Sequence, residues 1–432
     1  MVKFKNIRKN LITVIFLVFI FGMSADYCLN VVSALINTNE ISEKTEYKEE
    51  FFELKEQLTS NNSVTTRKNK ETSLVDELLD FYKGKTNSLS NFNNLVLKDF
   101  FLNLNAGLCR NMGMSYIPGT TFLKHTDGSL ISVDKNYIVD KEKLRLHVGF
   151  LNNFKQELDK KGIGSVYVNC PNKELLMGNK LPLGFINHIK YDENKYMKEI
   201  LAENDIKLLD LSEKMIENDE DVMNLFYKTD HHWKTEHGVK SAKYISEYLN
   251  YKHNYGIDTG IFDMANYDVE VYEKCLLGST GINSTETFVE AEDFDIYIPK
   301  SKNEFSFEIP SKNVNLEGEF DIFINEEKLD NKKTWPFNAY ASYIYANSAY
   351  LKIENKTIKD EHKILIIKDS FANVIVPYLA QVIKRVDVID MRKSQTDHFN
   401  GDIMSLVEKN NYDTVFFIYN DFSYEYDRLF LK

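Results

Sequence analysis

Two hydrophobic patterns alternate along most of this chain. Apolar residues recur every three or four positions in some stretches and run unbroken in others. The first pattern predicts amphipathic helices over 141–161, 191–204 and 235–251, and further helices over 371–383 and 403–409. The second predicts buried strands over 164–169, 206–211, 363–368, 386–390 and 414–419. Continuous apolar strands alternating with helices imply an α/β fold with a doubly wound, mainly parallel sheet covered on both faces. Residues 252–350 break this rhythm. There, 294–298, 305–309 and 320–324 alternate apolar and polar positions, which predicts a β-rich insertion outside the parallel sheet. Upstream, 121–124 and 129–133 flank Asp127-Gly128, a hairpin signal.

The N-terminal quarter reads differently. Lys3, Lys5, Arg8 and Lys9 precede an apolar run over 11–22, which resumes over 27–36 after Ser24-Ala25-Asp26. A basic flank before an apolar run fits a secretion signal or an uncleaved membrane anchor with its basic end in the cytoplasm. Met23-Ser24-Ala25 offers a cleavage site, and Asp26 is costly inside hydrocarbon. Either reading places the rest of the chain outside the cytoplasm. Residues 37–75 are polar and read as a stalk; a helix over 75–104 opens the body. The expected organisation is therefore 1–36 signal or anchor, 37–75 stalk, and one large domain over 76–432.

Composition narrows the partners. A formal net charge of −12 repels phosphate, which excludes nucleic acid. Cys28 lies in the apolar segment. Cys109, Cys170 and Cys275 have no metal-ligand spacing, so neither a disulfide framework nor a cysteine zinc site is expected.

The densest chemistry is Asp230-His231-His232-Trp233, with Ser370 following the apolar run that ends at Lys368. A carboxylate two positions before an imidazole can orient it. A serine at a strand-to-helix junction can present its hydroxyl at a sheet edge. Together they supply acid, base and nucleophile for acyl transfer. The junction also offers backbone N–H groups for an oxyanion. A serine there can equally cap the helix; Asp369 can take that role and free the Ser370 hydroxyl. Asp230 could instead cap the next helix. A metal is a rival use, since Asp230, His231, His232, Glu236 and His237 are all potential ligands, but the preferred reading needs no metal or organic cofactor.

The stretch Asp230-His231-His232-Trp233 followed by Lys234-Thr235-Glu236-His237-Gly238 resembles the signature of DHHW proteins, which are similar to alginate O-acetylation proteins with a circularly permuted SGNH-hydrolase-like domain. In that resemblance the Asp-x-His element precedes the serine, as here. Lys368-Asp369-Ser370-Phe371 matches the serine block, with lysine where glycine is common. Tyr345-Ala346-Asn347 is similar to a Gly-Gly-Asn stretch, which makes Asn347 a candidate oxyanion or substrate contact, and Asn373 is a second. Gly278-Ser279 resembles a short element of unassigned role.

The resemblance implies an extracytoplasmic O-acyltransferase, membrane-attached through the N-terminal segment. It would acetylate cell-surface or secreted polysaccharide through Ser370, His232 and Asp230. It also implies a membrane-bound O-acyltransferase as partner. Two alternatives remain: a carbohydrate esterase using water as acceptor, and a non-catalytic glycan-binding or assembly protein.

Overall fold

A computed structural model describes residues 98–117, 120–133, 139–177, 188–218, 221–330, 338–393 and 402–420. The expected anchor, the stalk and most of the 75–104 helix lie outside them. Among the described residues, no helix is long and apolar enough to cross a membrane. By contact density the chain divides into Met1–Asn105 and Ala106–Lys432. Helix α1 (Lys98–Asn111) straddles that division; the remaining elements belong to the second unit.

The strands are β1 (Phe122–Lys124), β2 (Leu130–Ser132), β3 (Gly164–Cys170), β4 (Leu208–Asp210), β5 (Tyr267–Leu276), β6 (Glu292–Pro299), β7 (Phe305–Ile309), β8 (Val314–Gly318), β9 (Tyr350–Asn355), β10 (Lys363–Lys368), β11 (Arg385–Ile389) and β12 (Thr414–Asn420). The longer helices after α1 are α2 (Lys141–Lys160), α3 (His188–Glu203), α4 (Leu211–Glu217), α5 (Glu236–His253) and α6 (Ile403–Asn410). One eight-stranded sheet runs β4-β3-β12-β10-β11-β9-β7-β8. Its first five strands pair in parallel. They overlap the five runs of apolar residues read as parallel strands.

Alternate residues of these strands face opposite cores, as the pleat requires. Val166, Val168, Ile364, Ile366, Phe416 and Ile418 join the core that contains α5 residues Val239, Ala242 and Ile245. Tyr167, Leu365, Ile367, Val415 and Phe417 join the other, with Leu151 and Phe154 of α2, Met197 and Ile200 of α3, and Val407 of α6. The parallel part is thus buried on both faces, which is why its strands read as unbroken apolar runs.

Three expectations need correction. The insertion does not lie wholly outside the sheet: β7 and β8 extend it through β9, all antiparallel. Within the described part of the insertion, β5 and β6 form a separate pair. The alternation in 305–309 is that of an antiparallel strand with Phe305, Phe307 and Ile309 facing inward, and an edge of the main sheet satisfies it as well as a separate element would. The 320–324 strand is instead a short 3-10 helix, Phe320–Phe323. The 371–383 helix is broken into a 3-10 turn, Ser370–Val374, and an α-turn, Val376–Leu379. Pro377 supplies the reason: it has no N–H to donate to the carbonyl four residues back, so it starts a new turn rather than continuing the one before it.

Candidate active site

The parallel strands end at one edge of the sheet, where open α/β folds place their sites. Lys368 ends β10, Asn420 ends β12 and Cys170 ends β3. Side chains knit these ends together. Asn420 N–H donates to Asp369 Oδ2 at 2.7 Å, and Asn420 Nδ2 donates to Pro171 O at 2.6 Å. Asp369 Oδ1 accepts from Phe371 N–H at 2.9 Å and so caps the short turn. Capping falls to Asp369, which leaves the Ser370 hydroxyl free for other bonds. The same bond occupies the Phe371 N–H, and a five-residue turn has no developed macrodipole. The expected helix-end contribution to an oxyanion site therefore loses the Phe371 N–H.

The Asp230–Trp233 segment arrives from another direction. It forms a tight loop closed by pairing of Phe226 with Trp233, and α5 follows directly. The Asp230 carboxylate, an acceptor only, takes the His232 Nδ1–H at 2.9 Å and the His232 backbone N–H at 3.1 Å. That bond fixes the imidazole tautomer and leaves Nε2 to accept the Ser370 hydroxyl at 2.8 Å. Three residues up to 140 positions apart (370 − 230) thus form a continuous relay. Asp230 is buried and His232 nearly so, whereas Ser370 is partly open to solvent.

Packing holds the imidazole. The Tyr340 ring stacks on His232 at 4.0 Å, His231 lies 3.9 Å away, and Phe371 lies 4.8 Å away. Tyr340 is held in turn, accepting from Trp233 Nε1 at 3.2 Å and donating to Phe371 O at 3.4 Å. Gly278 explains part of the Gly278-Ser279 element: a Cβ there would fall 2.2 Å from both Cβ and Oδ2 of Asp230. Ser279 then donates its N–H to Asp230 Oδ2 at 3.3 Å, and its hydroxyl lies 2.8 Å from His231 Nδ1.

Burial and charge set the protonation states. Burial pulls the His232 imidazole down to about 4, and the neighbouring His231 adds to that; Asp230 opposes both. Burial would lower His231 too, but its bond to Asp230 wins and raises it. Burial would raise Asp230, but the attraction of His232 and the bonds from both histidines hold it well below the carboxylate range. His232 is therefore a neutral base near neutral pH.

Asn347 and Asn373 meet around Lys368. Lys368 Nζ donates to Asn347 Oδ1 at 2.9 Å and to Asn373 Oδ1 at 2.5 Å, and Asn373 Nδ2 donates to Asn347 Oδ1 at 3.3 Å. The lysine thus takes the amide oxygens and fixes the orientation of both amides. It is fully buried, 3.8 Å from Asp390, which also binds Arg392 through two bonds. Just before Asn347, Ile344, Tyr345 and Ala346 all have positive φ, at 45°, 58° and 65°. Two of these are the positions where the resembling stretch carries glycine. This chain accepts left-handed strain there, roughly 1 kcal/mol or more per residue.

Among the described residues, the group of side chains that could hold a metal lies in this same neighbourhood. Asp230, His231 and His232 each offer a donor atom within 4.8 Å of one another; among the described residues Glu236 and His237 do not join them. A metal at those atoms would compete for the nitrogens and oxygens of the Asp230–His232–Ser370 relay. A cavity of about 590 Å³ lies at the opposite, N-terminal ends of β3, β10 and β12, lined by His253, Tyr255, His362 and Asp413. It contains none of the triad.

Sequence reasoning missed Lys173, Glu292 and Tyr340. Lys173 lies three residues beyond the end of β3, where the strand-end rule could have drawn attention to it. Glu292 and Tyr340 carry no local signal.

Residues 132–265 match a family model, the SGNH hydrolase-like domain of the acetyltransferase AlgX. That stretch includes Asp230 and His232 and ends before Ser370. Bacillus cereus PatB1, solved with a sulfonyl adduct, superposes with a TM-score of 0.59 at 23% identity, over 73% of this chain and 100% of that one. A DHHW family protein from Eubacterium siraeum superposes with a TM-score of 0.52 at 17% identity, over 71% and 93%. No curated protein is significantly similar to the chain. The resemblance to DHHW proteins and to the SGNH-like domain of AlgX, read first from the Asp-His-His-Trp motif, is found in these comparisons. At these identities the solved structures establish the fold.

Proposed function

We propose that this chain is a serine-dependent O-acetyltransferase that modifies hydroxyls of a cell-surface or secreted polysaccharide. The observation that carries this reading is the relay from Asp230 through His232 to Ser370, with both hydrogen bonds in place and the imidazole buried and neutral. The match to the SGNH hydrolase-like domain of an acetyltransferase supports the choice of acyl group.

Ser370 Oγ attacks the acyl carbon of an ester donor and gives its proton to His232 Nε2. The Oγ–carbon bond forms, the donor's ester bond breaks, and the leaving oxygen takes the proton. A sugar hydroxyl then gives its proton to Nε2 and attacks the acyl-enzyme. The acyl–oxygen bond to Ser370 breaks and Oγ regains a proton. Asp230 keeps the imidazole in the productive tautomer and stabilises its transient charge. The Ser370 N–H and the Asn347 and Asn373 amides are the oxyanion candidates. The basic, apolar N-terminus supports an extracytoplasmic site on a membrane-attached chain. A membrane-bound acyltransferase supplying acetyl groups is the partner this arrangement calls for.

The full-length chain, treated with an activated acetyl ester, should gain one acetyl group on Ser370, visible by intact mass and peptide mapping. An arylsulfonyl fluoride should label the same serine, with fluoride leaving. Ser370→Ala should take up neither. Asp230→Asn should react roughly 10³-fold to 10⁴-fold more slowly. Discharge of the acetyl group by an oligosaccharide, with acetylated sugar formed, supports a transferase; discharge to water alone makes it an esterase. Glycan binding without any adduct would favour a binding protein, and loss of activity to a chelator while Ser370→Ala stays active would favour a metal.

A further inference from the structure

The loop that carries Asp230 has no regular structure, so its backbone polar groups need partners from elsewhere. Two buried or half-buried side chains of opposite charge supply most of them. Lys173 is 1% exposed. Its ammonium donates to Tyr227 O at 2.7 Å, Lys228 O at 3.1 Å and Asp230 O at 2.8 Å. All three ammonium protons are therefore spent on one loop, including the carbonyl of Asp230 itself. From the other side, the Glu292 carboxylate accepts from Lys228 N–H at 2.8 Å, Thr229 N–H at 2.6 Å and Thr229 Oγ1 at 2.7 Å. A cation takes the loop's carbonyls and an anion takes its N–H groups. Gly281 N–H and Thr280 Oγ1 complete the set on Thr229 O, at 2.8 and 2.5 Å.

A buried ammonium is costly, and an ordinary loop can be capped by neutral groups. Burial pulls Lys173 down to about 8, against the carboxylates of Glu174, Glu292, Asp230 and Asp127, so it still carries its charge at neutral pH. Charge-assisted bonds are stronger and more rigid than neutral ones. Rigidity is what the relay needs, since an error near 1 Å at an orienting group can cost about a hundredfold in rate.

We infer that Lys173 and Glu292 form an opposite-charge clamp that positions Asp230 against His232. They are positioning residues for the proposed acyl transfer, not residues that touch substrate. The inference rests on the serine-dependent reading of the site.

The test is the saturable labelling of Ser370 in the full-length chain by an arylsulfonyl fluoride. Lys173→Met should lower the maximal labelling rate of the folded protein roughly tenfold to a hundredfold while leaving the half-saturating concentration unchanged. Lys173→Arg should recover part of that rate. Glu292→Gln, a milder change at a half-buried site, should lower the maximal rate in the same sense and keeps the test decisive if Lys173→Met does not fold. In an Asp230→Asn background either change should add little, because the clamp acts through a carboxylate that is already gone. Labelling at the wild-type rate in folded variants, or an undiminished further loss in the Asp230→Asn background, would overturn the clamp alone. An unlabelled wild type would overturn the serine reading and the clamp with it.

Discussion

One carboxylate serves two imidazoles in this site. Asp230 Oδ1 lies 2.8 Å from His231 Nδ1 and 2.9 Å from His232 Nδ1. The two rings are 3.9 Å apart, so they cannot both be charged without mutual repulsion. His231 is the more exposed ring and is the one raised; His232 is buried and lowered to about 4. The pair therefore titrates in sequence, with the base of the relay the last to accept a proton. The sign follows directly. Acid protonates His232 Nε2, a protonated Nε2 cannot receive the Ser370 proton, and the reaction is lost as pH falls through the His232 value. Labelling of Ser370 should thus hold from neutral pH down to near 5 and fall with a midpoint of about 4. His231→Gln removes the neighbouring charge and frees Asp230 for His232 alone, so the midpoint should move up towards the ordinary histidine value of about 6.5. A rate-versus-pH series on both proteins checks this; a wild-type midpoint already near 6.5, or one that His231→Gln leaves in place, refutes the sharing.

The relay is assembled by an element contact that a single glycine permits. A Cβ on Gly238, in the first turn of α5, would fall 2.2 Å from Val374 O and 2.8 Å from Val374 C. Helix α5 begins four residues after His232, and Val374 lies four residues after Ser370. The two halves of the site are thus pressed together at Gly238 with no room for a methyl group. Gly238→Ala should force the serine turn and the histidine loop apart. We expect slower Ser370 labelling, by roughly tenfold or more, and a stability loss of about 1–3 kcal/mol, the usual range for overpacking; urea unfolding and labelling kinetics measure both. Such contacts show which parts of the protein were legible in sequence. The five parallel strands were, because burial on both faces writes them as unbroken apolar runs. Asp230, His232 and Ser370 stood out as candidates because they sit in compact motifs, and the structure brings the three side chains together. The break before Pro377 was legible too, but the apolar run over 371–383 outweighed the proline. The docking of β7 on β9 was not, since alternation shows which face is buried and not against what. The role of Lys173 was not, because a lysine that bonds carbonyls 54 to 57 positions away leaves no periodic trace, although its place just past β3 lies near the strand ends.

At the scale of the whole molecule, charge bears on which acceptors the proposed transfer would take. The chain carries a formal net charge of −12, and such a field repels polyanions over distances comparable to the screening length. Close to Ser370 the picture differs. Lys368 and Arg392 face Asp390 and Asp369, and Asp230 adds a further carboxylate, so the immediate surroundings hold no excess of these cations over carboxylates. Long-range repulsion is then not offset by a strong local attraction. The screening length shrinks from about 30 Å at 0.01 M salt to about 8 Å at 0.15 M, which removes most of the distant field and leaves the immediate neighbourhood as it was. Discharge of the acetylated Ser370 by a neutral oligosaccharide should therefore be flat across that range. Discharge by an oligosaccharide of uronic acids should be slow at low salt and rise as salt is added. Both are read from the decay of the acetylated mass at fixed acceptor concentration. A rate with the anionic acceptor that falls with salt would mean that Lys368 and Arg392 attract it more strongly than the remaining surface repels it, and would mark the polymer as anionic.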